Sequence, residues 1–467
     1  MPNTQLKSEK LSEFLGGLSP QALRMLVRSI ETSEQKGTRI PNSALIMPLA
    51  QGLLRKSASP RRLGFRSSPL QRVVFSPLQP FFINEHMPVK TQGLIERGFL
   101  DSFWRYLEDD LLKDEILQCR LAMEHGTDDI EQDEDAFLQS LAVELRKQIV
   151  SAAKQRLEAA EHSLSERRHL RRRLGGERNM EELEDALRIF EASERLKQFM
   201  DDLPRMDKDE NGLFPVKLIR YLREYIKKTP ADGHYVAGLL VSRRGVTAAG
   251  LIELAMDMCE TRDMRLVEES PYKPLGTYAL CEIARQIQGV ENWKHAPFGE
   301  LGYPEALREA LRSLDAVLLL TDFKNCRQWA RTFEQTRAFI TKMVRDDIDS
   351  LIPSMDKALE EARGQKSGDR KALRNAIRVM KVAELMPGHA QNLGLSEASL
   401  PLQRKIEQFF EGRGDKLLGR IQAESLQDGD KEVRAFDCLV ALGENCFGNE
   451  YGGMMYKRRC AAQKTAA

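Results

Sequence analysis

Apolar residues recur every four positions at Ile95, Phe99, Phe103, Leu107 and Leu111, with Leu100, Trp104 and Leu112 beside them. Glu96, Arg97, Asp101, Arg105, Glu108 and Asp109 fall on the opposite side. This spacing predicts an amphipathic helix over 94–112 whose stripe faces a core. Its polar face is mixed in sign, whereas a helix lying on a membrane carries Lys and Arg there. A longer pattern follows, in which Leu141, Leu145, Ile149, Ala153, Leu157, Ala160 and Leu164 mark one face of a single helix over 134–174. Gly175-Gly176 stops it. Asn179 and Glu182 stand at capping-box spacing ahead of a second helix that reaches about Leu203. Two long helices joined by so short a loop form an antiparallel hairpin of coiled-coil character. The hairpin lays Glu181, Glu182, Glu184 and Asp185 beside the basic end of the first helix.

The rest of the chain is punctuated more closely. Residues 4–36 read as two short helices, the second opened by Ser19-Pro20 and striped by Leu23, Leu26, Val27 and Ile30. Between 37 and 92, Pro41, Pro48, Pro60, Pro69, Pro77 and Pro80 forbid long helices. Yet Val73, Val74, Phe75, Leu78, Phe81, Phe82 and Ile83 are too apolar to stay solvated. An extended segment packed on the protein body is expected there, with Arg72–Phe75 as the best strand candidate and Ser57–Ser68 as the mobile part. Beyond Pro215 the helices shorten, with starts near Pro215, Asp232, Thr247, Pro274, Pro304, Phe323, Pro353, Asp369, Ser399 and Asp428. Stops are marked by Gly245, Gly289, Gly364, Gly388, Gly412 and Gly448. The fold class is therefore all-α and multi-helical: a long antiparallel hairpin plus a C-terminal body of stacked shorter helices. The organisation reads as an N-terminal helical segment (1–36), a basic proline-rich wrapping segment (37–92), the amphipathic helix and hairpin (93–205), a helical C-terminal domain (206–447) and a flexible glycine-rich tail (448–467).

Composition narrows the class. The chain has 467 residues, 42% of them hydrophobic, and a net charge of +1, so it can bury several cores and carries no global field for a polyanion. Seven cysteines, Cys119, Cys259, Cys281, Cys326, Cys438, Cys446 and Cys460, have no C-x-x-C spacing. That pattern suits a reducing compartment better than a disulfide framework. With no apolar signal region at Met1–Lys10 and no transmembrane-length apolar run, a cytoplasmic protein is expected.

The near-zero charge conceals a dipole. Residues 35–84 contain eight basic residues and no acidic one, and residues 101–135 contain thirteen acidic ones. Arg55, Lys56, Arg61, Arg62, Arg66 and Arg72 are thus candidates to bind an external anion or the chain's own acidic stretch. Ser59-Pro60, Ser68-Pro69 and Ser76-Pro77 among these arginines read as turns, or as phosphorylation sites that would erase the basic field. A second basic cluster, Arg167, Arg168, Arg171, Arg172 and Arg173, closes the long helix. Only His169 is interleaved with it, and a helix C-terminus already favours cations, so a structural role is expected. Asp207-Lys208-Asp209-Glu210-Asn211-Gly212 resembles the first half of an EF-hand loop. Asp207, Asp209 and Asn211 are the candidate calcium ligands, but the twelfth position is Leu218 where a bidentate Glu is needed. The stretch therefore reads as a polar turn, and no metal or other cofactor is expected.

Nucleophile, zinc-protease and nucleotide-loop motifs are missing, and the seven histidines are dispersed. The function class expected is an interaction protein, that is an adaptor, scaffold or regulator, acting through a protein partner or self-association. A nucleic-acid or anionic-surface binder using residues 36–72 is the alternative, and an enzyme with a helical fold and an unfamiliar site is the third and less favoured reading.

Overall fold

Ser68 Oγ accepts the backbone N–H of Gln71 at 3.2 Å, and Pro69 fills the first helical position. The two signals together start a short helix, α1 (Pro69–Val74). The strand expected at Arg72–Phe75 is thereby corrected, because the cap satisfies locally the N–H that a ladder would have used. A 3₁₀ turn, Ser76–Phe81, follows. In the computed structural model the described residues are 68–87, 89–125, 134–210, 212–295, 299–364, 371–424, 426 and 428–466. The helices expected at 4–36 and the mobile piece expected at Ser57–Ser68 lie outside them, save Ser68 itself, which is the cap of α1.

The apolar part of the wrapping segment does turn inward. Val74, Phe75, Leu78, Phe81 and Ile83 are buried, and Val73 and Phe82 pack on the same core. It is mostly helical, however, and not extended. Two two-residue strands, β1 (Phe82–Ile83) and β2 (Ile95–Glu96), pair in parallel with Phe82 opposite Ile95.

The amphipathic helix appears as α2 (Arg97–Tyr106), continued by one π-helical turn, Leu107–Leu111, before α3 (Lys113–His125). Its stripe is inside as expected: Phe99, Phe103 and Leu107 are buried, and Phe75 stacks on Phe103 with ring centroids 5.6 Å apart.

The long helix is not continuous. It divides into α4 (Glu134–His162) and α5 (Leu164–Leu174) at Ser163, whose backbone is extended and whose hydroxyl accepts the N–H of Glu166 to cap α5. Ser163 with Glu166 supplies the local cap that breaks the periodicity. Leu164, assigned to the inward face, is consequently 75% exposed. Gly175 in the left-handed region ends α5, and α6 (Glu177–Asp201) returns. Lys154 of α4 pairs with Glu191 of α6, and the Arg146 charge feels Glu194, so the partner number falls as α4 is climbed. α4 and α6 thus make the antiparallel pair, with α5 as a bent corner between them. The capping box fails, since the Asn179 amide donates back to the Leu174 carbonyl at the end of α5 and leaves Glu182 for another use.

Further on come α7 (Val216–Lys228), α8 (Gly233–Arg244), α9 (Ala248–Cys259), α10 (Met264–Glu269), α11 (Lys273–His295), α12 (Gly299–Leu320) and α13 (Gln328–Asp349). After these come α14 (Leu351–Gly364), α15 (Lys371–Leu393), α16 (Ser396–Ser399), α17 (Leu402–Ala423), α18 (Lys431–Phe447) and α19 (Asn449–Ala466). Thr247 caps α9 as its position suggests, accepting the Gly250 N–H at 3.1 Å.

One proline start and three glycine stops need correction. Pro304 lies inside α12, and Gly289, Gly388 and Gly412 lie inside α11, α15 and α17. The helix expected from Phe323 begins instead at Gln328, where the carboxylate of Glu268 accepts the N–H groups of Arg327, Gln328 and Trp329 at 2.7–2.9 Å. That cap comes from α10, 59 residues upstream of Arg327, so no local signal announces it. The glycine-rich tail read as loose is α19, packed on α17 and α18 through Met455 and Ala462. No helix among the described residues is long and apolar enough to cross a membrane.

Candidate docking groove

α7 is built to be held on one side and open on the other. Leu218, Leu222 and Ile226 repeat at four-residue spacing and are fully buried. Tyr221 and Tyr225 pack on Phe199 of α6, with centroids 5.6 and 4.6 Å away. Tyr225 donates to Asp232, which also receives Arg195 of α6 through Nε at 2.7 Å and Nη2 at 2.9 Å. The outward face carries Val216, Lys217, Arg220, Glu224, Lys227 and Lys228, all exposed.

The turn before α7 is the stretch that resembles half an EF-hand loop. Asp209 Oδ1 accepts the Leu213 N–H at 2.9 Å, and the Asp209 N–H donates to the Leu213 carbonyl at 3.0 Å. The carboxylate closes a turn and thereby sets Leu213 and Phe214 at the head of α7. Asn211 lies outside the described residues, and no group of metal-ligating side chains occurs among those described.

An open groove of about 620 Å³ runs between α7 and the C-terminal end of α9, with Leu213, Phe214, Val216, Ile219 and Met256 as its apolar wall. Arg220, Arg223, Arg262, Asp257 and Glu260 supply its charge. A second groove of about 370 Å³ adjoins it toward α10, lined by Lys227, Leu266 and Tyr272 among others and sharing Arg223, Glu260 and Thr261 with the first. Leu213, Val216 and Leu266 are 52%, 73% and 47% exposed.

The shared ridge is strained. α9 ends in a Schellman turn: Thr261 N–H reaches the Met256 carbonyl at 3.2 Å and Glu260 N–H the Asp257 carbonyl at 3.3 Å. The left-handed position in such a turn belongs by preference to glycine, yet Glu260 holds it at φ 55°. It is the one non-glycine residue with positive φ among those described. Its carboxylate meets Arg223 Nη1 at 2.7 Å, and Arg223 Nη2 donates to the Asp257 carbonyl at 3.2 Å. Arg223 Nε has no acceptor. Burial pushes the Asp257 carboxyl up against the pull of Arg262, 3.5 Å away. Burial likewise raises Cys259 and Tyr272, which keeps both protonated and makes neither a nucleophile at neutral pH. The arrangement offers apolar area and directed charge for holding another molecule.

The basic residues singled out from sequence are placed elsewhere. Arg72 is exposed on α1, while Arg55, Lys56, Arg61, Arg62 and Arg66 lie outside the described residues. On α5, Arg167 and Arg171 pair with Glu177, while Arg173 and His169 reach Asp110 on the π turn. Arg168 and Arg172 are exposed. Of the acids expected beside this cluster, Glu184 acts on the Arg167 charge, but the ion pairs are made by Glu177 and Asp110. Glu182 and Asp185 are buried and meet Lys90, each at 2.9 Å. A signal for that existed, because Glu182 and Asp185 interrupt the apolar stripe of Leu183, Ala186, Leu187 and Phe190 on α6.

A comparable buried set joins Asp347 of α13 to Arg378 of α15, Lys294 of α11 and the hydroxyl of Tyr303 on α12. Both sets are paired within the fold and lie largely buried, so they bind elements of the fold to one another. The groove leaves apolar and charged groups available outward. Compared with known proteins, the chain matches no family model, no curated protein and no solved structure.

Proposed function

We propose that this protein is an interaction protein, an adaptor, scaffold or regulator, and that the double groove along α7, α9 and α10 is its docking surface. The observation that carries the reading is the exposure of Leu213, Val216 and Leu266, each by about half or more, in two adjoining depressions. Scattered exposed apolar residues are ordinary; a contiguous set rimmed by charge marks a contact site. The strained Glu260 backbone at the ridge supports it, since strain of this kind concentrates where a surface is used.

A photo-crosslinking residue at Val216 tests the reading, with the equally exposed Leu319 (86%) and Leu400 (80%) as controls. In extracts of the source cell, a defined protein adduct is expected from Val216 and not from the controls. Adducts from all three positions alike, or a nucleic-acid adduct at Val216, would refute it. A second copy of the chain as the adduct would make self-association the interaction.

A further inference from the structure

Resting on that reading, we infer that the groove takes an acidic amphipathic helix from a protein partner. Leu213, Phe214, Val216 and Ile219 make an apolar wall over the turn before α7 and its first turn, and such a wall receives residues spaced i, i+3 or i+4 on a guest helix. α7 has 13 residues, so at 1.5 Å per residue it is roughly 20 Å long and can flank a guest of three to four turns.

The charge selects the guest. Arg220, Arg223, Arg262 and Lys227 line the two grooves against Asp257 and Glu260. Lys217, Arg220, Lys227 and Lys228 form no ion pair with a described residue. Glu and Asp flanking the guest's apolar stripe would meet these side chains at the rim. There they would set orientation and on-rate more than affinity. Arg223 lines both grooves, and its present partner Glu260 is 74% exposed.

The same details disfavour a nucleic acid. Asp257 and Glu260 interrupt the run of positive charge that a phosphate backbone would follow, while a guest helix can meet them with its apolar stripe. Phe214, the aromatic ring of the larger groove, already has the Lys208 ammonium over one face, 4.7 Å from its centroid.

The test uses the full chain and three fluorescent probes. One is a helical 20-residue peptide with Leu at i, i+3, i+4 and i+7 and Glu on both flanks. The second is its isomer with Lys for every Glu, and the third a 20-nucleotide single-stranded RNA. The Glu peptide is expected to bind about tenfold or more tightly than the Lys isomer, with the gap narrowing as salt rises. Val216→Asp should abolish its binding, and the Arg220→Glu, Lys227→Glu double variant should reverse the preference. All three positions are exposed on α7, and unchanged thermal unfolding of each variant confirms that only the surface was altered. Equal or tighter binding of the Lys isomer, no peptide binding, or RNA binding indifferent to Val216→Asp would overturn the inference. The docking reading fails separately. If Val216 crosslinks a partner through a basic or extended segment, docking stands and the acidic helix falls; if Val216 crosslinks nothing, docking itself falls.

Discussion

Asp185, in the middle of α6, accepts the backbone N–H of Gly93 at 2.8 Å across 92 residues of chain. Its second oxygen accepts the Tyr235 hydroxyl at 2.8 Å, and Lys90 lies 2.9 Å away. The carboxylate thus pins the segment before β2 to both α6 and α8. Gly93 is required there, because at φ 81° a Cβ would also stand 3.1 Å from the His234 carbonyl oxygen. Asp185→Ala leaves the half-buried Lys90 ammonium with Glu182 as its carboxylate and takes an acceptor from the Gly93 N–H and the Tyr235 hydroxyl, and should destabilise by about 2–4 kcal/mol. Urea denaturation measures it, and a midpoint like the parent's would show that packing alone holds the segment.

Glu260 supports a prediction of the opposite sign. Replacing it with glycine removes the left-handed strain of about 1–2 kcal/mol and gives up one exposed ion pair, which contributes less. Glu260→Gly should therefore stabilise the protein by about 1 kcal/mol. If the denaturation midpoint drops instead, the Arg223 pair outweighs the backbone term.

The Glu268 cap predicts a pH dependence. Burial works to raise its carboxyl pKa, but the N–H groups of Trp329, Arg327 and Gln328 outweigh burial and hold it below the ordinary glutamate value. A depressed folded-state pKa contributes stability that is present above the unfolded value and lost as pH falls through the folded one. Glu268→Gln should thus be less stable than the parent at neutral pH, and the difference should shrink below about pH 4. Equal stability at neutral pH would mean that the charge contributes nothing beyond its hydrogen bonds.

Trp329 occupies the space that Gly276 leaves. A Cβ on Gly276 would lie 2.5 Å from the ring, whose Nε1–H donates to Thr277 at 3.0 Å and whose edge meets Phe323. Held on two sides, the indole has little freedom to withdraw, and Gly276→Ala should cost about 1–3 kcal/mol. Gly419, inside α17 with nothing within 4 Å of its Cβ position, is the control. There alanine should add up to about 1 kcal/mol. Denaturation and the near-ultraviolet signal of the tryptophans separate the two results.

The all-α class was readable because it depends on local periodicity: Phe99, Phe103 and Leu107 form a stripe in the sequence and a buried face in the structure. The Thr247 cap and the turn at Asp209 that heads α7 were equally local. Two misses were local as well, because the caps of Ser68 and Ser163 replace the expected strand and divide the long helix; elsewhere the deciding partner lay far along the chain. Glu268 starts α13 from 59 residues away, and Lys90 takes Glu182 from the capping box. Packing against α17 and α18 turns a glycine-rich tail into α19. The groove follows the same division. Basic residues and a proline-started helix at Pro215 were visible, but an open surface exists only because α6 covers one side of α7 and leaves the other free. Periodicity records which face of a helix wants burial; which element covers it, and which charge faces another, is fixed only when distant segments compete for the same surface.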